Sequence, residues 1–115
     1  MEGRTDRRRR PRFIKRLTAK CRVDHHVFTG ISSDLSEDGV FIRTSRGFAP
    51  DTVVAIEIVM PDNSIALLRG IVARTVKTPF PSVGNGMGIM LLEKDGRYIN
   101  FVKSLGALFQ DLQPL

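Results

Sequence analysis

The stretch DLSEDGVFIRT, residues 34–44, joins a polar turn to an apolar strand. Asp and Ser favour turns because their side chains bond nearby backbone, and Gly39 tolerates conformations that a Cβ resists. The β-branched and aromatic residues of VFIRT (40–44) then favour an extended strand. On an extended backbone Asp34 and Ser36, two residues apart, are predicted to share one face. The stretch therefore predicts a strand entered through a turn that displays a carboxylate and a hydroxyl.

Further strands are predicted on both sides of this turn, because apolar residues alternate with polar ones or form short β-branched runs. Strict alternation in LTAKCRV (17–23) indicates a strand with one buried face. The other predicted strands are VFTGIS (27–32), TVVAIEIVM (52–60), IALLRGIVARTV (65–76) and MGIMLL (87–92). PDNS (61–64) predicts a hairpin turn, and Gly70 predicts a bulge or bend.

The apolar period changes after the last strand. Asp95 is placed to cap a helix, and the residues that follow repeat apolar side chains every three or four positions. These are Ile99, Val102, Leu105, Leu108, Phe109 and Leu112. About six short antiparallel strands followed by a helix over about 95–112 predict an all-β fold, a small six-stranded antiparallel β-barrel with a C-terminal α-helix.

Positive charge is concentrated at the amino terminus. Residues 1–22 hold ten lysines and arginines against two acids, a formal charge of +8, whereas the rest of the chain sums to −2. Residues 1–12 are apolar only at Met1, so we expect a flexible basic arm there and a barrel domain over 13–115. We therefore expect an anionic partner that binds to this basic amino-terminal region.

Composition narrows the class of protein. Hydrophobic residues make up 42% of the chain, but no apolar run approaches the roughly 20 residues of a membrane span. No apolar stretch follows the amino-terminal charges, as a secretory signal would require, and the single cysteine, Cys21, favours a cytoplasmic protein. The adjacent His25 and His26 point to opposite faces of a strand and indicate no metal site. We expect no cofactor, no enzymatic activity, and a monomer or weak dimer.

The arginine run RRRRPR (7–12) and the acid of DLSEDG have complementary chemistry. Arginine presents a planar pair of donors that matches a phosphate or the O6/N7 edge of guanine. The carboxylate of Asp34 can accept hydrogen bonds from the N1 and N2 donors of guanine, but it would repel a bare phosphate. The combination favours a guanine nucleotide over an unspecific polyanion.

These motifs resemble the PilZ domain, a bacterial receptor family for cyclic di-GMP. RRRPR (8–12) matches the family's RxxxR, and DLSEDG (34–39) matches its DxSxxG. DRR (6–8) is similar to the family's usual ERR entry, and DGVFIRT (38–44) and GMGIMLL (86–92) resemble its strands after the turn and late in the barrel. The resemblance extends from about residue 6 over nearly the whole chain.

The resemblance implies a split β-barrel and an arginine arm that folds over cyclic di-GMP and changes contacts with a downstream protein. Arg8 and Arg12 would grip phosphates and guanine edges, and Arg7 would stack on a base or assist. Asp34 and Ser36 would bond a guanine, and Gly39 would hold the turn. Arg74 would stack on a base, as a bulky side chain does on the corresponding strand of some members.

Several alternatives remain at this point. The register of the arginine arm is open by one residue, because Arg7, Arg8, Arg9 and Arg10 follow one another. The chain could be a nucleic-acid-binding module, although residues 23–115, with a formal charge of −2, offer no second basic face. It could also be a PilZ-like adaptor that binds no nucleotide. The output in bacterial signalling could be motility, polysaccharide or virulence, and the partner protein is not specified.

Overall fold

The computed structural model describes residues 11–79 and 84–112, with side chains described as far as Leu108. Seven strands and one helix follow one another along this part of the chain. They are β1 (Phe13–Ile14), β2 (Thr18–Val23), β3 (His26–Leu35), β4 (Gly39–Arg43), β5 (Val53–Val59), β6 (Ile65–Val76), β7 (Gly86–Lys94) and α1 (Gly96–Leu112).

Six of the strands close into an antiparallel barrel, as the sequence predicts. The strand order is β1-β3-β2-β5-β6-β7-β4, and β3 also pairs with β4, which closes the ring from β2 through β7. The two-residue β1 lies beside the end of β3, where Phe13 faces Leu35 and Ile14 faces Asp34. No strand was predicted there, because two residues carry too little alternation to indicate one.

The barrel interior follows from the alternation of the strands. In β5, for example, Val54, Ile56 and Ile58 are buried while Val53 and Ala55 are exposed. Burial of such side chains away from water is the main favourable contribution to the stability of a small domain. The predicted PDNS hairpin is confirmed, since β5 and β6 pair from Val59–Ile65 onward.

Three irregularities change the register of the barrel strands in the described residues, and one of them lies between Val72 and Arg74 of β6. The pairing of β6 with β7 shifts between Arg69 and Gly70, which confirms the irregularity predicted near Gly70. The pairing of β3 with β4 shifts between Ser32 and Asp34. Strand β3 continues past this bulge to Leu35, so the prediction that this strand ends at Ser32 is wrong.

Helix α1 begins one residue after its predicted cap. The carboxylate of Asp95 accepts a hydrogen bond from the Arg97 amide at 2.9 Å and another from the Leu67 amide of β6 at 3.0 Å. Both bonds favour the charged form and hold the pKa of Asp95 below its usual value, the bond from Leu67 most strongly. Asp95 therefore caps the helix and ties its start to the barrel.

The helix buries part of the predicted stripe, Ile99 and Val102, together with residues outside it. Tyr98 and Val102 are buried and Ile99 and Phe101 are partly buried, whereas Leu108 is 57% exposed. The predicted stripe omits Tyr98, because a tyrosine is ambiguous between the interior and the surface. Phe109 and Leu112, also in that stripe, lie beyond the described side chains.

In the described parts of the chain, α1 included, no helix is long and apolar enough to span a membrane.

Candidate functional site

A row of residues crosses four adjacent strands on the outer face of the barrel. Asp34 of β3 pairs with Phe41 of β4, Phe41 pairs with Gly88 of β7, and Gly88 pairs with Arg74 of β6. Residues that pair directly in an antiparallel sheet project from the same face. With about 4.8 Å between strands, Asp34 and Arg74 stand roughly 14 Å apart along this row. The predicted acid and the predicted stacking arginine are thus brought to one surface.

The Asp34 end of the row also holds Arg12. The guanidinium of Arg12 donates a hydrogen bond to the Asp34 carboxylate and forms an ion pair with it. Strand β1 begins at the next residue, so the backbone pairing of Ile14 with Asp34 brings Arg12 to this position. Two residues far apart in sequence, each predicted to bind ligand, therefore meet at one point.

Ser36 does not share the exposed face of Asp34. It follows the end of β3 and is only 3% exposed. Its hydroxyl accepts hydrogen bonds from the amides of Asp38 at 3.2 Å and Gly39 at 3.0 Å. The sequence argument assumed an extended backbone through both residues, whereas the chain turns immediately after Leu35. Ser36 therefore organises the turn from within.

Gly39 is required for a close approach rather than for an unusual backbone angle. No glycine in the described residues has a positive φ, so the expectation that Gly39 needs special conformational freedom is wrong. A Cβ on Gly39 would instead lie 3.0 Å from the carbonyl oxygen of Ile89 in β7. The absent side chain lets the turn lie against the neighbouring strand.

The turn is held from behind by the helix. The buried Tyr98 hydroxyl lies 2.7 Å from the Ser36 carbonyl oxygen and 3.1 Å from that of Gly39, and it donates its hydrogen to this pair of acceptors. Burial raises the pKa of Tyr98 well above its usual value, so the phenol remains protonated and able to donate. The sequence reasoning missed this contact, because nothing local relates residue 98 to residue 36.

The Arg74 end of the row contains an aromatic ring that was not predicted. The guanidinium carbon of Arg74 lies 5.4 Å from the centroid of the Phe41 ring, within the range of a cation–π contact. Phe41 was assigned only to a strand, although its position between the inward residues Val40 and Ile42 indicates an outward ring.

Two of the predicted site residues, Arg7 and Arg8, lie outside the described residues, so their contribution stays a prediction.

Where the structure describes side chains, no group of three or more His, Cys, Asp or Glu is arranged to hold a metal ion. Burial raises the pKa of the Cys21 thiol to about 11, so this thiol is a core side chain rather than a nucleophile.

Comparisons with known proteins identify the fold and the family of the chain. No curated protein matches the chain. Among solved structures, the Bacillus subtilis inhibitor of motility MotI/DgrA superposes with a TM-score of 0.75 at 16% identity, covering 94% of this chain and 53% of that one. The chain thus spans about half the length of that structure, and the likeness concerns the fold. The sequence model of the PilZ domain matches residues 6–103. The chain therefore belongs to the PilZ domain family.

Proposed function

We propose that the chain is a cyclic di-GMP receptor that acts as an adaptor, changing its contacts with another protein when the ligand binds. Membership of the PilZ family supports this, because PilZ domains are known as cyclic di-GMP binders. The proposal describes a binding protein of the cytoplasm without enzymatic activity or cofactor.

The observation that carries the proposal is the row that joins Asp34 to Arg74. At one end, the Asp34 carboxylate is an acceptor for the N1 and N2 donors of a guanine, and Arg12 beside it is a donor for phosphate or the guanine O6/N7 edge. At the other end, the Arg74 guanidinium offers a planar cation for stacking. A ligand with two bases and two phosphates can use both ends at once.

The amino-terminal arginines complete the proposed site. Strand β1 pairs Ile14 with Asp34, so the first described residues lie at the Asp34 end of the row. We propose that cyclic di-GMP draws this arm onto the barrel, with Arg8 and Arg7 reaching the phosphates or a base. Neutralisation of like charges by the ligand favours that closure.

Ser36 and Gly39 serve the proposed site through the turn. The Ser36 hydroxyl holds the amides of Asp38 and Gly39, and Gly39 lets the turn approach β7. Because the turn begins two residues after Asp34, its shape supports the end of β3 that carries the carboxylate. We therefore propose a supporting role for both residues, in addition to the direct bond to guanine predicted for Ser36.

The proposed output is a contact with a downstream protein, affecting motility, polysaccharide or virulence. Motility has a parallel in the structurally similar Bacillus subtilis protein, which is named as an inhibitor of motility.

Calorimetric titration tests the proposed function. We expect cyclic di-GMP to bind, and GTP, cyclic di-AMP and a short single-stranded DNA to bind far more weakly. Arg12→Ala and Asp34→Ala should abolish binding. Arg22→Ala is a matched control, because Arg22 is also a surface arginine near an acid, 3.9 Å from Glu57, but lies outside the row.

The same titration distinguishes the proposed receptor from the main alternative, a nucleic-acid-binding module. A nucleic-acid-binding module would prefer the single-stranded DNA, and its affinity would fall steeply with salt. Repeating the titration at two salt concentrations therefore distinguishes the two functions. Unchanged affinity for cyclic di-GMP in both the Arg12→Ala and Asp34→Ala variants would contradict the proposed site.

A further inference from the structure

Phe41 is an outward-facing aromatic residue that is nevertheless buried. Its neighbours Val40 and Ile42 point into the barrel core, so the Phe41 ring projects from the outer face. An aromatic side chain there is expected to meet water, yet Phe41 is only 8% exposed. Something on the outer surface must cover it.

Glycines of β7 make room for the ring. A Cβ on Gly86 would lie 2.8 Å from Cε1 of Phe41, and a Cβ on Gly88 would lie 3.7 Å from its Cδ2. Glycines at these two alternate positions remove the outward side chains of β7 where β4 pairs with it. The Phe41 ring therefore occupies a shallow trough over the backbone of β7.

Arg74 covers the ring from the other side. A Cβ on Gly88 would lie 3.3 Å from both Cγ and Nε of Arg74, so the stem of the arginine crosses the same trough. Arg74 itself remains exposed, and in the described part of the chain no carboxylate forms an ion pair with it. Its guanidinium is therefore held by the ring rather than by an acid, and part of it stays open to solvent.

We infer that Phe41 is a positioning residue which, seated over Gly86 and Gly88, holds the Arg74 guanidinium in place as the stacking surface for one purine base of the ligand. This inference rests on the proposed function. A long arginine side chain loses much conformational freedom when it binds, and a prior contact with an aromatic ring reduces that loss. The ring thus contributes to affinity without contacting the ligand.

A double-mutant cycle tests the inference by calorimetric titration of the full chain with cyclic di-GMP. Arg74→Ala should weaken binding by about tenfold, the size of a lost stacking contact. Phe41→Leu should weaken it by roughly fivefold, the size of a lost cation–π contact. The double variant should bind no more weakly than Arg74→Ala, because the ring acts only through the guanidinium.

The chain provides a matched control for the loss of a ring. Phe28 lies under the Arg46 guanidinium carbon at 5.8 Å, in a second cation–π pair outside the row. Phe28→Leu should leave the affinity for cyclic di-GMP unchanged. Phe41→Tyr should retain the affinity, because the phenol keeps the ring face, and this rescue separates positioning from a general effect on folding.

Gly88→Ala is a second route to the same result. The added methyl displaces the stem of Arg74 and leaves the ring in place, so affinity should fall as in Phe41→Leu. This variant keeps the inference testable if Phe41→Leu does not fold.

The outcomes are distinct. If the unmodified chain does not bind cyclic di-GMP, the proposed function is wrong and the inference falls with it. If the chain binds, but Phe41→Leu and Gly88→Ala bind as Phe28→Leu does, only the inference is wrong. Independent, additive losses from Phe41→Leu and Arg74→Ala would also overturn it.

Discussion

The guanidinium of Arg12 forms an ion pair with the carboxylate of Asp34, and strand β1 begins at the next residue. The pair lies at the surface, with side chains 54% and 32% exposed. Surface ion pairs contribute little to stability, because water and salt screen them. Backbone pairing of β1 with β3 therefore anchors this end of the chain, and the ion pair serves to place the two side chains.

Arg12→Ala and Asp34→Asn should each lower the free energy of unfolding by no more than about 1 kcal/mol. Urea denaturation of both variants and of the double variant measures this. Loss of cyclic di-GMP binding in variants of near-normal stability would then belong to the site. A loss of stability above about 3 kcal/mol would show that the pair is structural instead.

Tyr98 should ionise only when the chain unfolds. It is the only tyrosine, and the chain has no tryptophan, so absorbance near 295 nm reports this phenol alone. Because burial raises its pKa, the stability contribution of Tyr98 is complete below the unfolded pKa of about 10 and is lost as the pH rises above it. We expect phenolate formation to coincide with the loss of far-UV circular dichroism at alkaline pH. Ionisation in a chain that remains folded would contradict the buried hydrogen bonds.

Gly39→Ala should destabilise the barrel by about 1–3 kcal/mol, because the new Cβ would press on the Ile89 carbonyl, which is fixed backbone. Gly96→Ala is the matched control. Nothing lies within 4 Å of a Cβ at position 96, and alanine is the better helix former, so this variant should be neutral or more stable. Thermal unfolding of the two variants gives the comparison, and equal melting temperatures would contradict the close approach at Gly39.

Asp95→Ala should lower stability by about 1–2 kcal/mol, because it removes a helix cap and leaves the Leu67 amide without its acceptor. The pKa of Asp95 is depressed in the fold, so its contribution is complete above the ordinary carboxyl pKa of 3.8 and is lost as the pH falls through the folded pKa. We expect the free energies of unfolding of the unmodified chain and of Asp95→Ala to differ by a constant amount from pH 7 downward. This difference should narrow only at acidic pH. A difference already lost at pH 6 would be inconsistent with this role.

Regular alternation made most of the barrel predictable. The residue patterns of TVVAIEIVM and IALLRGIVARTV indicate strands by themselves. The ends of β5 and β6 were therefore predicted to within a residue or two of their observed positions. The start of α1 was predictable for a similar reason, since Asp95 and the apolar spacing after it are local signals. The ion pair of Arg12 with Asp34 was anticipated only in part, through the family's two motifs.

The remaining features depend on contacts between distant residues. The hydrogen bonds from Tyr98 to the turn and the cover of Arg74 over Phe41 each join residues more than 30 positions apart. The buried position of Ser36 depends on where β3 ends and on the turn whose amides bond its hydroxyl. Local propensity contains no information on such contacts, because they arise only when the barrel closes.

The bulge beside Ser33 decides which way Asp34 points. Ser32 faces the interior, and simple alternation from it would send Asp34 inward, but the extra residue restores an outward direction. A single insertion or deletion at this point could therefore hide or reveal the acid while every strand survives. Relatives with the same barrel but a different count of residues here would differ in ligand recognition without any substitution of the acid itself.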